Sequence, residues 1–234
     1  MKYIKAFENK KPEKKVKYHK NGNISNITYK LDGIYHRIDG PAYQEWYDNG
    51  QLKDEEYLID NSFHREDGPA IQKWHKNGQK FQEIYFFNSE YHNKNGPAYQ
   101  EWDSSGQKIE EKYYINGNCH NENGSAYTSW YDNGIKDTEK YMINGEYHRE
   151  DGPAYQEWLE NGQIYEESYY LNGEEHREDG PAIQKYYNNK INEVFYYLNG
   201  IKYSREDWLK MLEEMGSPHY KRQKMLYDMD KYNL

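Results

Sequence analysis

One period governs this chain: a histidine recurs every 28 residues, at His36, His64, His92, His120, His148 and His176. A glycine follows at Gly40, Gly68, Gly96, Gly124, Gly152 and Gly180, then an alanine at Ala42, Ala70, Ala98, Ala126, Ala154 and Ala182. A large aromatic closes the stretch at Trp46, Trp74, Trp102, Trp130, Trp158 and Tyr186. Four columns held in phase identify an array of repeats, in which each unit is stabilised by its neighbours rather than by one central core.

The unit itself reads as two strands. In Pro153 to Leu159 the side chains alternate with a period of two, and Glu160-Asn161-Gly162-Gln163 is a tight turn whose Asn-Gly supplies positive φ. The second strand is predicted over Ile164 to Leu171, followed by another turn at Asn172-Gly173. Its tyrosine gives a fifth column: Tyr57, Tyr85, Tyr113, Tyr141, Tyr169 and Tyr197. Glycine about every dozen residues excludes helix here. Hydrophobic residues are only 35% of the chain while aromatics are 17%, so stacked rings are expected to do the burying. The constant alanine beside the constant tryptophan predicts that each ring lies over the small residue of the next repeat.

The fold class that follows is all-β repeat: an elongated antiparallel β-meander of 28-residue hairpin repeats, with a C-terminal α-helical cap. Residues 1–15 read as a basic N-terminal arm. Residues 16–35 read as a degenerate capping repeat, residues 36–203 as six full repeats, and residues 204–234 as the helical cap. Ser204 stands in the histidine column as a helix N-cap, with Asp207 at the third helical position and Tyr203 stapled onto Trp208. Trp208, Met211, Leu212 and Met215 form the apolar stripe, Gly216 stops the helix, and Ser217-Pro218 opens a second one through about Lys231. The helices are expected to cover the last strand edge.

The chemistry-bearing columns point to structure. Equivalent histidines one repeat apart are separated by two strand spacings, roughly 10 Å, too far to share a metal ion. They are read as structural, as are Trp46, Trp74, Trp102, Trp130 and Trp158. Asp39, Asp67, Asp151 and Asp179 alternate with Asn95 and Asn123, an exchange that suits a turn before glycine and not a general acid or base. Arg37, Arg65, Arg149 and Arg177 are expected to pair with a neighbouring glutamate or stack on tyrosine. No nucleophile stands beside a base and no glycine-rich phosphate loop occurs, so no catalytic residue, metal or cofactor is assigned.

Cys119 is the only cysteine, which fits a reducing compartment, and neither an apolar span nor a secretory leader is read. A soluble, cytoplasmic protein is expected. Net charge is −9, although residues 1–20 carry eight lysines against two glutamates. The acidic body disfavours nucleic acid as a partner and also disfavours membrane contact.

An aromatic followed by Asp-Asn-Gly, a second aromatic strand and another Asn-Gly resembles the MORN repeat superfamily, nearest to an antitoxin-type variant. The His148-Arg149-Glu150-Asp151-Gly152-Pro153-Ala154 signature, with the Tyr203-Ser204-Arg205-Glu206-Asp207-Trp208 ending, resembles repeat proteins of large DNA viruses and phages. The resemblance spans residues 16–203 and implies a scaffold or binding surface. The function expected is a non-enzymatic scaffold for another macromolecule, foremost a protein. The alternatives are an antitoxin-like inhibitor of a single enzyme and a membrane-apposed scaffold using the basic arm. Self-association through the N-terminal sheet edge is also open. The binding residues are sought where the pattern breaks. Units three and four replace Arg and Asp by amides, which marks Asn93, Lys94, Asn95, Asn121, Glu122 and Asn123, together with Thr128 and Trp130.

Overall fold

The computed structural model describes residues 11–232. It falls into two compact units, Met1–Asn118 and Cys119–Leu234. Each is an antiparallel meander of hairpin repeats, with strands adjacent in sequence lying adjacent in the sheet. In the first unit the order is Glu13–Tyr18, Ile24–Leu31, Tyr43–Trp46, Leu52–Glu56, Ile71–Trp74, Lys80–Ile84, Tyr99–Trp102 and Lys108–Lys112. In the second it is Tyr127–Trp130, Lys136–Lys140, Tyr155–Trp158, Ile164–Ser168, Ile183–Tyr187, Lys190–Leu198 and Ile201–Tyr203, followed by two helices.

Two different tight turns, most often written Asn-Gly, build each repeat. In Tyr47-Asp48-Asn49-Gly50-Gln51 only the glycine has positive φ, at 85°. Tyr47 N–H donates to Gln51 O at 2.9 Å, and the Asn49 side chain accepts from Gln51 N–H at 3.1 Å. The extra residue appears as a register shift between Glu45 and Trp46, a bulge that goes with a type I turn and a left-handed glycine. The second turn has both residues at positive φ, Asn172 at 52° and Gly173 at 84°, the pattern of a type I′ hairpin.

The predicted second strand is divided. Ile164–Ser168 stays in the main sheet, while Tyr170–Leu171 leaves it to pair with Glu174–Glu175. The break falls at Tyr169, whose N–H still reaches Ala182 O at 2.7 Å while its own carbonyl takes the N–H of His176. Each main-sheet hairpin therefore carries a short ribbon that turns back over the alanine column. That explains why all six alanines have 0% exposure. Both strands of the first main hairpin, Trp46 included, are half-exposed. Ring contacts form on the ribbons instead: Phe63 on Phe86 at 5.4 Å, Tyr91 on Tyr114 at 5.0 Å, and Tyr147 on Tyr170 at 5.0 Å. The core of the first unit, Ala70, Ile71, Ile84 and Phe86 with Tyr57 and Tyr91 against it, lies at this fold-back.

The ends also differ from expectation. Glu13, Lys14 and Lys15 belong to a strand paired with Lys30, Tyr29 and Thr28 rather than to a loose arm; residues 1–10 lie outside the described residues. The sixth unit is one residue short in its first turn, where Asn188-Asn189 replaces the longer loop with a two-residue type I′ turn. Arg177 N–H accordingly bonds Tyr197 O where Arg149 N–H bonds Tyr170 O, so the last member of the tyrosine column is Tyr196, not Tyr197.

Helix α1 is Arg205–Glu214, capped by Ser204, whose Oγ accepts from Asp207 N–H at 3.1 Å. Trp208, Leu209 and Leu212 are its buried residues, whereas Met215 of the expected stripe is the exposed C-cap. Gly216 N–H bonds Glu213 O and Ser217 N–H bonds Leu212 O, the Schellman pair that ends the helix. Helix α2 is Tyr220–Tyr232. The helices pack on Tyr196, Leu198 and Tyr203, but Lys190–Val194 of the last strand remains exposed. The cap thus covers only part of that edge. No described helix is long and apolar enough to cross a membrane.

Candidate functional site

Four of the six links, the first, second, fifth and sixth, are built around an immobilised arginine. In the first, Arg37 Cζ lies 4.0 Å from the Tyr29 ring centroid, Nε donates to Asp39 Oδ1 at 2.8 Å, and Nη1 donates to Pro41 O at 3.3 Å. Arg65 on Tyr57, Arg149 on Tyr141 and Arg177 on Tyr169 repeat the stack at 4.0, 3.9 and 3.7 Å. The partner is therefore the aspartate two residues on, not a glutamate. Hydrogen bonding and the nearby guanidinium hold the Asp39, Asp67 and Asp151 carboxyls below the usual carboxylate range.

The glycine column answers to this arginine and not to backbone strain. A Cβ on Gly40 would stand 2.8 Å from Arg37 Cζ, so the residue must be small for the guanidinium to lie flat between it and the tyrosine. In the third link Asn93 takes over: its Nδ2 donates to Pro97 O at 2.9 Å and its Oδ1 accepts from Asn95 N–H at 3.0 Å. Asn121 does the same with Ser125 O and Asn123 N–H in the fourth. A Cβ on Gly96 would meet Asn93 Nδ2 only at 3.7 Å, ordinary contact. We expect Gly40→Ala to destabilise the first unit by about 1–2 kcal/mol, as the guanidinium loses Tyr29 and the Pro41 carbonyl. Gly96→Ala is expected to be neutral or stabilising by up to about 1 kcal/mol, through reduced unfolded-state entropy. Urea unfolding of the pair checks this; equal losses would contradict it.

The histidines hold the second turns. Nδ1 of His64, His92, His120 and His148 accepts the N–H of Asn88, Asn116, Asn144 and Asn172 at 3.1–3.3 Å. These asparagines have φ near 50°, so each histidine pins a left-handed residue of the following turn. His36 sits 2.7 Å from Asp60 Oδ1 and His176 2.8 Å from Asn199 Oδ1. Among the described residues, no three His, Cys, Asp or Glu side chains converge as a metal site.

Between successive links lie open clefts. In the first unit, one of about 660 Å³ is walled by Arg65, Asp67, Asn93 and Asn95 and floored by Tyr85 and Phe87. In the second unit, Asn121, Asn123, His148 and Arg149 wall a cleft of about 390 Å³ over Tyr141 and Ile143. Another of about 610 Å³ lies between Arg149, Asp151, His176 and Arg177, with His219 of the cap at its rim.

The sequence-marked residues divide accordingly. Asn93, Lys94 and Asn95 line a cleft of the first unit, and Asn121, Glu122 and Asn123 line one of the second. Thr128 does not join them: it is 3% exposed, with Oγ1 2.9 Å from Ser125 Oγ. Trp130 is half-buried at the bulge. A row missed in the sequence crosses the sheet face. Gln44, Gln72 and Gln156 donate to Glu55, Glu83 and Glu167 at 2.8, 3.1 and 3.0 Å. Both columns recur at 28 residues and could have been read. No protein-family model matches the chain, and no curated protein does.

Proposed function

We propose that this protein is a non-enzymatic repeat scaffold that binds another macromolecule, a protein foremost, and that it is a MORN-like variant acting in the cytoplasm. The supporting observation is how the third and fourth links are made. An asparagine amide replaces the guanidinium on the same backbone carbonyl, so the link keeps its form while its cleft wall loses a charge. Amides beside aromatic floors require less desolvation on contact than arginine-aspartate pairs do. The arginine-aspartate pairs of the other links and the histidine column recur in several repeats and are engaged in holding links and turns, which suits a surface better than a reaction centre.

The test restores the pattern with Asn93→Arg, Asn95→Asp, Asn121→Arg and Asn123→Asp. Cross-linking mass spectrometry in the native host first identifies the partner, and titration calorimetry then compares the two proteins. Partner affinity is expected to fall at least about tenfold, or 1.4 kcal/mol, with an unchanged circular dichroism spectrum. Unchanged affinity rejects the amide clefts as the binding site. Recovery of one stoichiometric enzyme, inhibited on binding, would favour the inhibitor reading. Flotation with anionic vesicles that is lost at modest salt would favour the membrane reading.

A further inference from the structure

The two sheet edges of this chain are complementary halves of a pairing that it already makes internally. Within the units, the second strand of each repeat pairs with the first strand of the next: Asp54 opposite Lys73, Thr138 opposite Glu157, and Glu166 opposite Lys185. The outer strand Glu13–Tyr18 is of the first-strand kind, with Lys17 at the position of Lys73 and Lys185, and has no described predecessor. At the other end Ile201–Tyr203 pairs only with Tyr196–Leu198, which leaves Lys190–Val194 of the preceding strand as an open edge of the second-strand kind. Its Glu193 faces Lys185 as Glu166 faces Glu157, so Glu193 occupies the Asp54 and Glu166 position.

We propose that these edges join between copies of this protein, Glu193 of one copy opposite Lys17 of the next and Val194 opposite Val16. Three observations select a second copy as the occupant. The internal register, continued by one step, places an acid of the second-strand edge opposite a lysine of the first-strand edge. Its internal counterparts have Lys185 Nζ 3.3 Å from Glu166 and Lys73 Nζ 3.9 Å from Asp54. The neighbouring row, which inside the chain pairs Glu55 with Gln72 and Glu167 with Gln184, would here pair valine with valine, so no amide or carboxylate is stranded. The cap helices dock toward Leu198 and leave Lys190–Val194 exposed, Val194 at 38%. A capped array would be expected to blunt such an edge. Because the two edges differ, the contact is heterologous, and a joined pair retains one free edge of each kind for further copies. This pairing is independent of the cleft reading above.

Light scattering across a concentration series tests it. The mass of the wild-type protein is expected to rise with concentration. Lys17→Glu and Glu193→Lys should each weaken association about tenfold or more, while a one-to-one mixture of the two associates again, since each then offers the charge that the other lacks. Neutral Lys17→Gln and Glu193→Gln variants should each weaken association less, and their mixture should recover it through the Glu193–Lys17 contact that unlike copies still make. A wild-type protein monomeric up to about millimolar (a weak-binding limit near −4 kcal/mol), charge reversals without effect, or a mixture no more associated than its parts would each overturn the proposal. Circular dichroism confirms that the variants remain folded.

Discussion

Replacing Trp208 by alanine is expected to lower the stability of the second unit by roughly 3–5 kcal/mol, the range for emptying a large aromatic site. Trp208 is 1% exposed, its Nε1 donates to Arg177 O at 3.2 Å, and its ring lies 4.9 Å from that of Tyr196. It therefore joins three parts of the unit: the sixth link, the last strand and helix α1. Trp208→Phe keeps most of the packing and should cost about 1–2 kcal/mol, chiefly from the unsatisfied Arg177 carbonyl. The repeat tryptophans make the contrast. Trp102 is half-buried, with Lys80 Nζ 5.6 Å from its ring centroid, and Trp102→Ala should cost less than Trp208→Ala. Urea unfolding ranks the three, and a Trp208→Ala midpoint equal to wild type would refute the keystone role.

That ranking marks what the sequence could and could not disclose. Strand, turn and cap positions were legible because each has a local chemical cause: alternation, Asn-Gly, and Ser204 three residues before Asp207. The division of the second strand was not, because Ile164 to Leu171 holds no glycine, proline or asparagine to mark a break, and the main-sheet pairing ends where Tyr169 N–H reaches Ala182 O. The one-residue deletion in the sixth unit was hidden by the adjacent pair Tyr196-Tyr197, since counting 28 from Tyr169 still lands on a tyrosine. The link glycine suggested a turn, whereas at Gly40, Gly68, Gly152 and Gly180 it admits a guanidinium. Of the candidate site, the amide substitutions at Asn93 and Asn121 were visible as breaks in a column. Their bonds to the carbonyl four residues on, and the burial of Thr128, depend on three-dimensional packing.

The second large effect concerns Asp54 and runs opposite to ordinary acid denaturation. Asp54 stands directly across from Glu45 on one side and Lys73 on the other, with Glu56 two residues along its own strand. Lys53, which could screen it, is engaged by Glu45 at 2.9 Å. Its side chain is 13% exposed, Oδ1 is buried without a hydrogen-bond partner, and Lys73 Nζ comes only to 3.9 Å. Burial, then Glu56, push its carboxyl up to about 7, and burial raises Glu56 in the same direction. Between the unfolded value near 4 and about 7, the folded chain holds a proton that the unfolded chain releases, so rising pH favours unfolding across that window. Stability of the first unit should therefore decline from pH 4 to 7 and level off above. The lowered carboxyls of Asp39 and Asp67 act with the opposite sign, but only below about pH 4. Asp54→Asn keeps the shape and removes the charge. After allowance for solvent and Lys73, it should stabilise the unit by about 1–2 kcal/mol at pH 8, and by little at pH 4. Urea unfolding at pH 4, 6 and 8 decides it: an Asp54→Asn gain that does not grow with pH would mean that the native carboxylate is not penalised where it stands.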